Sequence, residues 1–544
     1  MFSFLALPVS AMAADSLGFV GNNRIGDEVL RRAAGDTADP LGAVADFYRA
    51  QGYWSAVVRD SGGWISVAEG RLHMMRIASE GALVDPARLS HELQAVLTPH
   101  GEAGHPFAQL RFAGGEIVAP GEVRLATVLD LGSTLEINSV RVFGVTVTRT
   151  DVIAREARSK PGDIYLPGAA RHWAERVRRL GLFDVVEGPA LITSRKENFA
   201  DLVMWVQEGK PNRFEGVVGY QPGSGDGAGL WTGVVDLWLG NLWGTARRFS
   251  GRWERVRKDE SRFALGYREP WAGGLPVNLE GRLAIEQRRA FTREDLNLKA
   301  DIEPEVGLTL GVSVGTESVK TDSIALLAGP RNSSTTLGLN GSFDTRTSLN
   351  NPFSGMFYSV KMAWAIRRNR IGHADFVHVM GDRAHLFPES VRRSTVAVKI
   401  DQFIPVHNNF VGFVGLRGKQ VAMGPGDSLV MSASDKIRLG GAKTLRGFAE
   451  DRFSGVRMLW TNLEARYLVG PISRFFVFID AAHIRDEGWD TALNSLVTHD
   501  SWHLGYGIGL RAQTGGGQLG VDLGWGRSDG FGEGKVHASY VSRF

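Results

Sequence analysis

The chain has 544 residues, with 62 Lys and Arg against 59 Asp and Glu and a formal net charge of +3, too weak a balance over this length to imply nucleic acid as a partner. It contains no cysteine, which excludes disulfides, thiolate chemistry and Cys-based zinc sites. No run of about 18 apolar residues is free of charged or polar breaks, so a transmembrane helix is excluded and any crossing must be made by a closed β-barrel. The length implies two to four units. The 68 Gly, 28 Phe and 14 Trp suit twisted strands and aromatic girdles better than helical bundles.

Residues 1–14 read as a secretory signal remnant, a short apolar stretch running to Ala11-Met12-Ala13 without a basic leader, and they fit a frayed apolar terminus as well. Residues 15–70 mix helix and strand. Leu41, Val44, Ala45 and Tyr48 recur at i, i+3, i+4 and i+7, one face of a helix, which ends at Gln51-Gly52-Tyr53; alternating runs follow near 56–58 and 64–67. Residues 71–133 form a weaker unit whose helix is expected to start at Asp85-Pro86, where proline in the first turn costs nothing; a second helix is hard to find. Residues 134–210 are clearer. Leu135, Ile137, Val140 and Val142 form a strand ending at Gly144, and Thr150-Asp151 is expected to cap a helix through Ala157. Pro161-Gly162-Asp163 then turns the chain into a helix carrying Trp173, Val177 and Leu180, followed by two short strands ending at Val206-Gln207-Glu208-Gly209.

From 211 to 544 the period changes to two. Val306, Leu308, Leu310, Val312 and Val314 alternate with small residues, and Tyr358, Val360, Met362, Trp364 and Ile366 repeat the pattern, as do Leu504, Tyr506, Ile508, Leu510 and Ala512. Alternation places the two sets on opposite faces of a sheet. A soluble all-β enzyme would bury the apolar set. Here it is long, aromatic-tipped and without any helical layer to cover it, the lipid-out, water-in arrangement of a barrel. Roughly 330 residues at about 20 per strand and connection allow about 16 strands, closing on a final strand that carries Val536, Ala538, Tyr540 and Phe544 on one face. The fold class is therefore α+β modules followed by a transmembrane antiparallel β-barrel.

No enzyme signature survives. His91-Glu92 lacks the second histidine of a zinc-protease helix, and Gly223-Ser224-Gly225-Asp226-Gly227 reads as a turn between strands. Lone histidines such as His373 and His503 read as polar strand residues. Arg255, Arg257 and Lys258 with Asp259-Glu260 read as an exposed hairpin loop.

The ordered motifs resemble the outer-membrane assembly superfamily that includes BamA, TamA and the two-partner secretion pores. Ser139-Val140-Arg141-Val142-Phe143-Gly144, Lys160-Pro161-Gly162-Asp163, Arg179-Leu180-Gly181-Leu182-Phe183-Asp184 and Val206-Gln207-Glu208-Gly209 resemble that family's POTRA domain, and Gly18-Phe19-Val20-Gly21-Asn22 with Tyr48-Arg49-Ala50-Gln51-Gly52-Tyr53 suggests an earlier one. Asn241-Leu242-Trp243-Gly244-Thr245 and Tyr267-Arg268-Glu269-Pro270-Trp271 look like its early barrel strands. Gly440-Gly441 followed by Leu445-Arg446-Gly447-Phe448 is similar to the tip of the family's long sixth loop, with Leu for Val. Phe478-Ile479-Asp480-Ala481-Ala482 is similar to its FxDxG strand, with Ala482 for Gly. Three POTRA-like units place the layout nearest TamA.

Read from the residues, Arg446-Gly447-Phe448 is a cation, a hinge able to take positive φ and an apolar anchor. Asp480 lies mid-strand on the face shared by Phe476 and Phe478, a mixed face that alternation does not explain. A solvated loop arginine and an unrelated turn aspartate fit these residues too; the resemblance implies instead that the loop folds into the lumen and Arg446 pairs with Asp480. The second candidate is the barrel seam, with Phe214, Gly216, Val218, Gly219 and Tyr220 in the first strand facing Tyr540 and Phe544 in the last. Glycines weaken strand packing, so the junction is expected either to open sideways for an incoming strand or simply to relieve curvature in a permanently closed barrel. The resemblance implies an insertase-like factor for outer-membrane or secreted protein clients, seated in outer-membrane lipid, with a periplasm-spanning or lipoprotein partner and no cofactor. The alternative is a dedicated pore exporting one exoprotein. POTRA units serve either as receivers of extended segments or as spacers.

Overall fold

The computed structural model describes residues 17–35, 38–62, 64–77, 83–84, 89–194, 196–221, 230–257, 259–321, 329–349, 351–371, 378, 381, 386–424, 431–490 and 495–544. The signal at 1–14, the helix start at Asp85-Pro86, the 223–227 turn, Lys258 and His373 lie outside the described residues.

The N-terminal residues carry three small sheets. The first holds β1 (Gly18–Val20), β2 (Val57–Asp60) and β3 (Trp64–Ala68) in the order β1-β3-β2, with helices α1 (Asp27–Ala34) and α2 (Pro40–Ala50). The Asp39 carboxylate accepts the Gly42 N–H at 2.9 Å and Pro40 opens α2, so the helix starts with a donor satisfied and no amide wasted. Leu30, Val44, Tyr48 and Ile65 are fully buried in one cluster. The Tyr48 hydroxyl inside it donates to Glu69 Oε1 at 3.0 Å, which removes the cost of burying it unpaired.

The second sheet has the order β5-β4-β7-β6, from β4 (Met74–Ile77), β5 (Leu83–Val84), β6 (Gln109–Ala119) and β7 (Glu122–Asp130), with one helix, α3 (Leu89–Glu102). After α3 the chain makes the long β6–β7 hairpin, and α3 is the module's one helix among the described residues. The third sheet, β8 (Glu136–Phe143), β9 (Phe183–Thr193) and β10 (Phe199–Glu208), has the order β8-β10-β9, with α4 (Thr150–Ala154) and α5 (Pro167–Arg179). Trp173 and Val177 of α5 are fully buried. Two compact units divide the chain through this third module: residues 1–141, 157–173 and 188–203 form one, and 142–156, 174–187 and 204–544 the other.

Sixteen strands close the barrel, as the two-residue period predicts. The first eight are β11 (Arg213–Gln221), β12 (Leu230–Leu242), β13 (Arg247–Arg257), β14 (Glu260–Glu269), β15 (Val277–Gln287), β16 (Thr292–Glu305), β17 (Leu308–Lys320) and β18 (Asn332–Asp344). They are followed by β19 (Gly355–Asn369), β20 (Ser390–His407) and β21 (Phe410–Met423). A long loop containing the ribbon β22 (Ile437–Leu439) and β23 (Phe453–Gly455) comes next. The last five are β24 (Arg457–Leu468), β25 (Arg474–Asp490), β26 (Ser495–Thr514), β27 (Gly517–Gly526) and β28 (Lys535–Arg543). Every neighbouring pair is antiparallel, and β11 meets β28. The alternating apolar sets face outward: Val312 is 52% exposed and Ile366 59%, while Asp301 and Asp480 on the inner face are 2% and 0% exposed. An apolar face open to its surroundings beside a charged, buried inner face is stable only where the surroundings are lipid.

Residues 142–156, 174–187 and 204–210 of this module lie in one compact unit with the barrel and are bonded to its turns. The helix expected to be capped by Thr150-Asp151 begins instead after Arg149, with no capping side chain. The preceding amides are held from elsewhere: the Glu208 carboxylate accepts the N–H groups of Thr146, Val147 and Thr148 at 2.5–3.1 Å. That loop rests on the β12–β13 turn, where Arg149 N–H donates to Gly244 O at 2.9 Å and Asn241 Nδ2 to Thr148 Oγ1 at 2.8 Å. A side chain at Gly244, whose φ is +70°, would run into the Val147 carbonyl. Arg248 donates to the Leu180 carbonyl at 2.8 Å, Arg179 to the Asp344 carbonyl at 2.9 Å, and Trp271 Nε1 to Glu156 at 2.7 Å. These ties spread the module over several turns on one rim of the barrel.

Partial burial pushes the Glu208 carboxyl up, but hydrogen bonds from Thr146, Thr148 and Val147 outweigh it and bring the group down to about 2. A carboxyl depressed by folding stabilises fully above its ordinary value near ~4.3, and the contribution fades as pH falls toward 2. At pH 6, Glu208→Gln is expected to speed amide exchange at Thr146, Val147 and Thr148 by about tenfold or more, the equivalent of about 1.4 kcal/mol. Unchanged exchange rates, measured by mass spectrometry on the full chain, would mean the carboxylate is not the clasp.

Candidate functional site: the inward loop and the barrel seam

The loop between β21 and β24 turns into the lumen, and its tip is organised by glycines. Gly440 and Gly441 have φ of +131° and +97°, and Gly447 has +88°; L side chains rarely adopt such angles. Thr444 Oγ1 accepts the Gly440 N–H at 3.0 Å and donates to its carbonyl at 2.8 Å, closing a small turn. Leu445 is fully buried among Ile437, Leu439, Val456, Met458 and Ala482. Ala482, where the related motif has Gly, therefore fills space under the loop. Phe448 stacks edge-on against Phe453 at 5.1 Å, and Phe453 lies over His503 at 3.9 Å.

Arg446 is the centre of the tip. Its Nε and Nη2 donate to Asp480 Oδ2 and Oδ1 at 2.8 and 2.7 Å, its backbone N–H reaches Oδ2 at 3.0 Å, and Nη1 donates to Glu464 Oε1 at 2.8 Å. Glu464 also receives Arg466 Nε at 2.7 Å. The guanidinium lies 3.7 Å from the centroid of the Phe478 ring and 5.8 Å from that of Phe476. The mixed inner face of β25 is thereby explained: the two phenylalanines form an aromatic floor beneath the cation, and Asp480 is its counter-ion. Gly505, Gly507 and Gly509 of β26 and Gly524 of β27 make the room. A Cβ at Gly507 would lie 2.6 Å from Phe478 Cζ, and one at Gly524 2.8 Å from Gly447 N; one at Gly505 would collide with the Arg446 carbonyl.

The loop is tied at further points. Asp435 pairs with Arg367 of β19 and Arg393 of β20. Asp451 pairs with Arg288 beyond β15, and Lys436 with Asp486 of β25 at 2.7 Å. Asn462 Nδ2 holds the Thr444 carbonyl at 2.8 Å. Lys443 approaches Glu215 of β11 and Asp236 of β12 at 3.8 and 3.7 Å; it is largely exposed, so this contact adds little energy but brings the loop to the first strands. Sequence reasoning missed Glu464, Asp435 and Asp451. The signal for Glu464 is present in the sequence, since it alternates in phase with Asn462 and Arg466 on the inner face of β24. Nothing local marks Asp435 or Asp451.

At the seam, β11 and β28 pair over four residues: Arg213↔Arg543, Phe214↔Ser542, Glu215↔Val541 and Gly216↔Tyr540. Phe544 N–H adds a bond to the Asn212 carbonyl at 3.2 Å. On its other side β28 pairs with β27 from Gln518↔Val541 to Gly524↔Lys535, and β11 pairs with β12 up to Gln221↔Leu230. Residues 217–221 and 535–539 thus each have a ladder on one side and none toward the other, among the described residues. Of the seam candidates, Phe214, Gly216, Tyr540 and Phe544 lie in or at the paired stretch. Gly219, Val218 and Tyr220 lie beyond it, paired with β12 alone, and the side chains of the last two are outside the described residues.

The Omp85 superfamily domain matches residues 241–535, and POTRA, the surface antigen variable number repeat, matches 135–209. Among solved structures, the chain is similar to CdiB from Acinetobacter baumannii at 12% identity, over 99% of this chain and 90% of that one with a TM-score of 0.52. It is similar to CdiB from Escherichia coli at 13% identity, over 95% and 98% with a TM-score of 0.53, and to BamA from Haemophilus ducreyi lacking POTRA domains 1–3 at 15% identity, over 85% and 95% with a TM-score of 0.47. At these identities the likeness to CdiB is one of fold. No curated protein sequence matches the chain. With its closed sixteen-strand barrel and the POTRA repeat upstream, the chain belongs to the Omp85 superfamily and is an outer-membrane protein whose POTRA domains lie in the periplasm.

Proposed function

We propose that this protein is an assembly or translocation factor for outer-membrane or secreted proteins, with residues 15–70, 71–133 and 134–210 as three POTRA modules that receive clients and the barrel seam as the place where a client strand docks. The observation that carries the proposal is the four-residue seam. Backbone N–H and C=O groups facing lipid without partners cost several kcal/mol each by general estimate, roughly 2–7, so the free edges at 217–221 and 535–539 favour any strand that can pair with them. An incoming strand would gain main-chain hydrogen bonds without a sequence requirement, which suits many clients. The reading needs no cofactor and no enzymatic step, and it leaves room for a periplasm-spanning or lipoprotein partner at the POTRA modules. The overlap of almost the whole chain with the CdiB fold supports a second reading, a pore exporting one exoprotein. Cross-linking in outer membranes separates the two: many barrel proteins on the POTRA modules favour the first, a single large exoprotein the second.

In both readings Arg446 acts as the tether that keeps the loop in register with the wall. Removing one partner of a buried pair leaves the other charge uncompensated, at a cost of about 3–5 kcal/mol. Arg446→Ala is therefore expected to give a barrel that still folds and inserts, by heat-modifiable migration, but fails to complement a null strain. Arg446→Lys is expected to fail as well, because an ammonium cannot make the two-pronged contact with Asp480. Full complementation by Arg446→Ala would sink this role.

The seam can be locked where it is already paired. The chain has no native cysteine, so a Gly216→Cys, Tyr540→Cys protein carries a single possible disulfide. Oxidation is expected to stop client assembly and reduction to restore it; full activity in the oxidised form counts against lateral docking.

A further inference from the structure

The loop joining β27 to β28 is tied by its own side chains yet presents a bare aromatic ring. Asp529 Oδ2 accepts the Gly526 N–H at 2.9 Å and Lys535 Nζ at 2.7 Å, and Glu533 Oε2 accepts the Gly530 N–H at 2.7 Å. Phe531–Glu533 forms one turn of 3-10 helix. On this well-held turn Phe531 is 91% exposed. Leaving a phenylalanine in water instead of burying it forgoes about 1.5–3 kcal/mol, and three side-chain hydrogen bonds hold the loop in the conformation that exposes it.

The ring is not alone. Phe531 stacks on Trp525 with centroids 5.8 Å apart and planes 21° from parallel, and Trp525 stacks on Tyr506 at 6.2 Å and 23°. Tyr506 and Trp525 are directly opposite each other in the β26–β27 ladder. They lie on the outward face with Leu504 and Ile508, since the intervening Gly505 and Gly524 face the loop tip inside. The loop has thus folded outward over the apolar wall, not inward over the lumen. Trp525 Nε1 donates to the Phe531 carbonyl at 2.9 Å, so the indole's polar hydrogen is satisfied within the protein, the condition for placing an indole against an apolar phase. Gly534 keeps the edge of that indole clear, because a Cβ there would lie 2.8 Å from Nε1. This end of the barrel is opposite the one where β11 begins and where the POTRA module is held, so it faces the outer leaflet.

We infer that Tyr506, Trp525 and Phe531 form an aromatic ladder seated in outer-leaflet lipid, anchoring the outer end of β28. The anchor falls where the seam strand needs one. Residues 535–539 of β28 have no ladder on the β11 side, and Phe531 precedes them by four residues in a loop that Lys535 itself ties down. Interfacial aromatics prefer the boundary between headgroups and chains, and a continuous three-ring stack fixes the strand's height in that boundary. The lipid contact stands without the assembly role.

The test uses Phe531→Cys as the sole thiol of the full chain, labelled with a polarity-sensitive fluorophore in phosphatidylethanolamine–phosphatidylglycerol vesicles. Arg289→Cys, in the exposed turn after β15 on the same side, is the reference. The label at 531 is expected to emit further to the blue and to be quenched at least twofold more by lipids carrying a nitroxide on the acyl chain. Emission and quenching equal to the reference, in a barrel folded by heat-modifiable migration, would overturn the lipid contact. If Phe531→Cys does not fold, Gly532→Cys carries the label, since a side chain there meets open space and Phe531 is kept. For the anchoring role, Phe531→Ser is expected to raise amide exchange over 535–539 at least threefold with exchange in β25 unchanged; identical exchange in both segments would overturn it.

Discussion

Inside a bilayer a backbone amide has no water to turn to, and the barrel is the consequence of that constraint. Each barrel strand between β11 and β28 has a neighbour on both sides, and the alternation of the sequence decides which side chains meet lipid. Among the described residues the β11–β28 junction is the shortest ladder of the ring, with four residue pairs and a bond from Phe544 to Asn212. The seam is therefore the junction closed by the fewest main-chain pairs, which is why the proposed docking of a client strand is placed there. Contacts outside the ladder flank it: on one rim those of Thr148 and Arg149 with the β12–β13 turn, on the other the short tied loop before β28.

The lumen obeys a second constraint, that a buried charge needs a partner. Arg446, Asp480, Glu464 and Arg466 satisfy one another in a chain across β24, β25 and the loop. Asp435 does the same between Arg367 and Arg393. Such networks are poor sources of net stability, since desolvation offsets much of the attraction. What they supply is register. A bidentate guanidinium–carboxylate contact with a third bond from the backbone allows one position of the loop, and the inner glycines of β26 and β27 allow only that backbone to come close.

The barrel was legible because a period of two is a local signal that repeats, and sixteen strands repeat it enough to outweigh any one ambiguous run. The third module was legible for a related reason, its turns being marked by Gly144, Pro161 and Gly181. The loop tip and Asp480 could be linked through the ordered motifs; from the residues alone, Phe476 and Phe478 beside Asp480 looked like a broken pattern, because a cation over an aromatic ring comes from another part of the chain. Asp451 and Arg288 lie 163 residues apart, and no spacing rule spans that distance. The Thr150-Asp151 cap failed for a similar reason. Local capping chemistry predicted the helix start, but Glu208, some 60 residues on, had already claimed the neighbouring amides. The seam ladder ends at Gly216↔Tyr540, and the glycines at 216 and 219 suggest weak packing there without fixing where pairing stops.

Loop and seam are also joined to each other. Lys443 approaches Glu215, which lies within the four paired residues of β11, and Asp236 on β12. The contact is long and exposed, and its energy is small beside that of the Arg446 cluster. Because the tip is rigid, however, a small attraction acts through a fixed lever: with Arg446 locked on the β24–β25 wall, Lys443 has one place to be. A strand entering at β11 would meet this cation before it met the lumen. The strong tie sets the position of the loop, and the weak one is the contact that the proposed opening of the seam would release at the least cost.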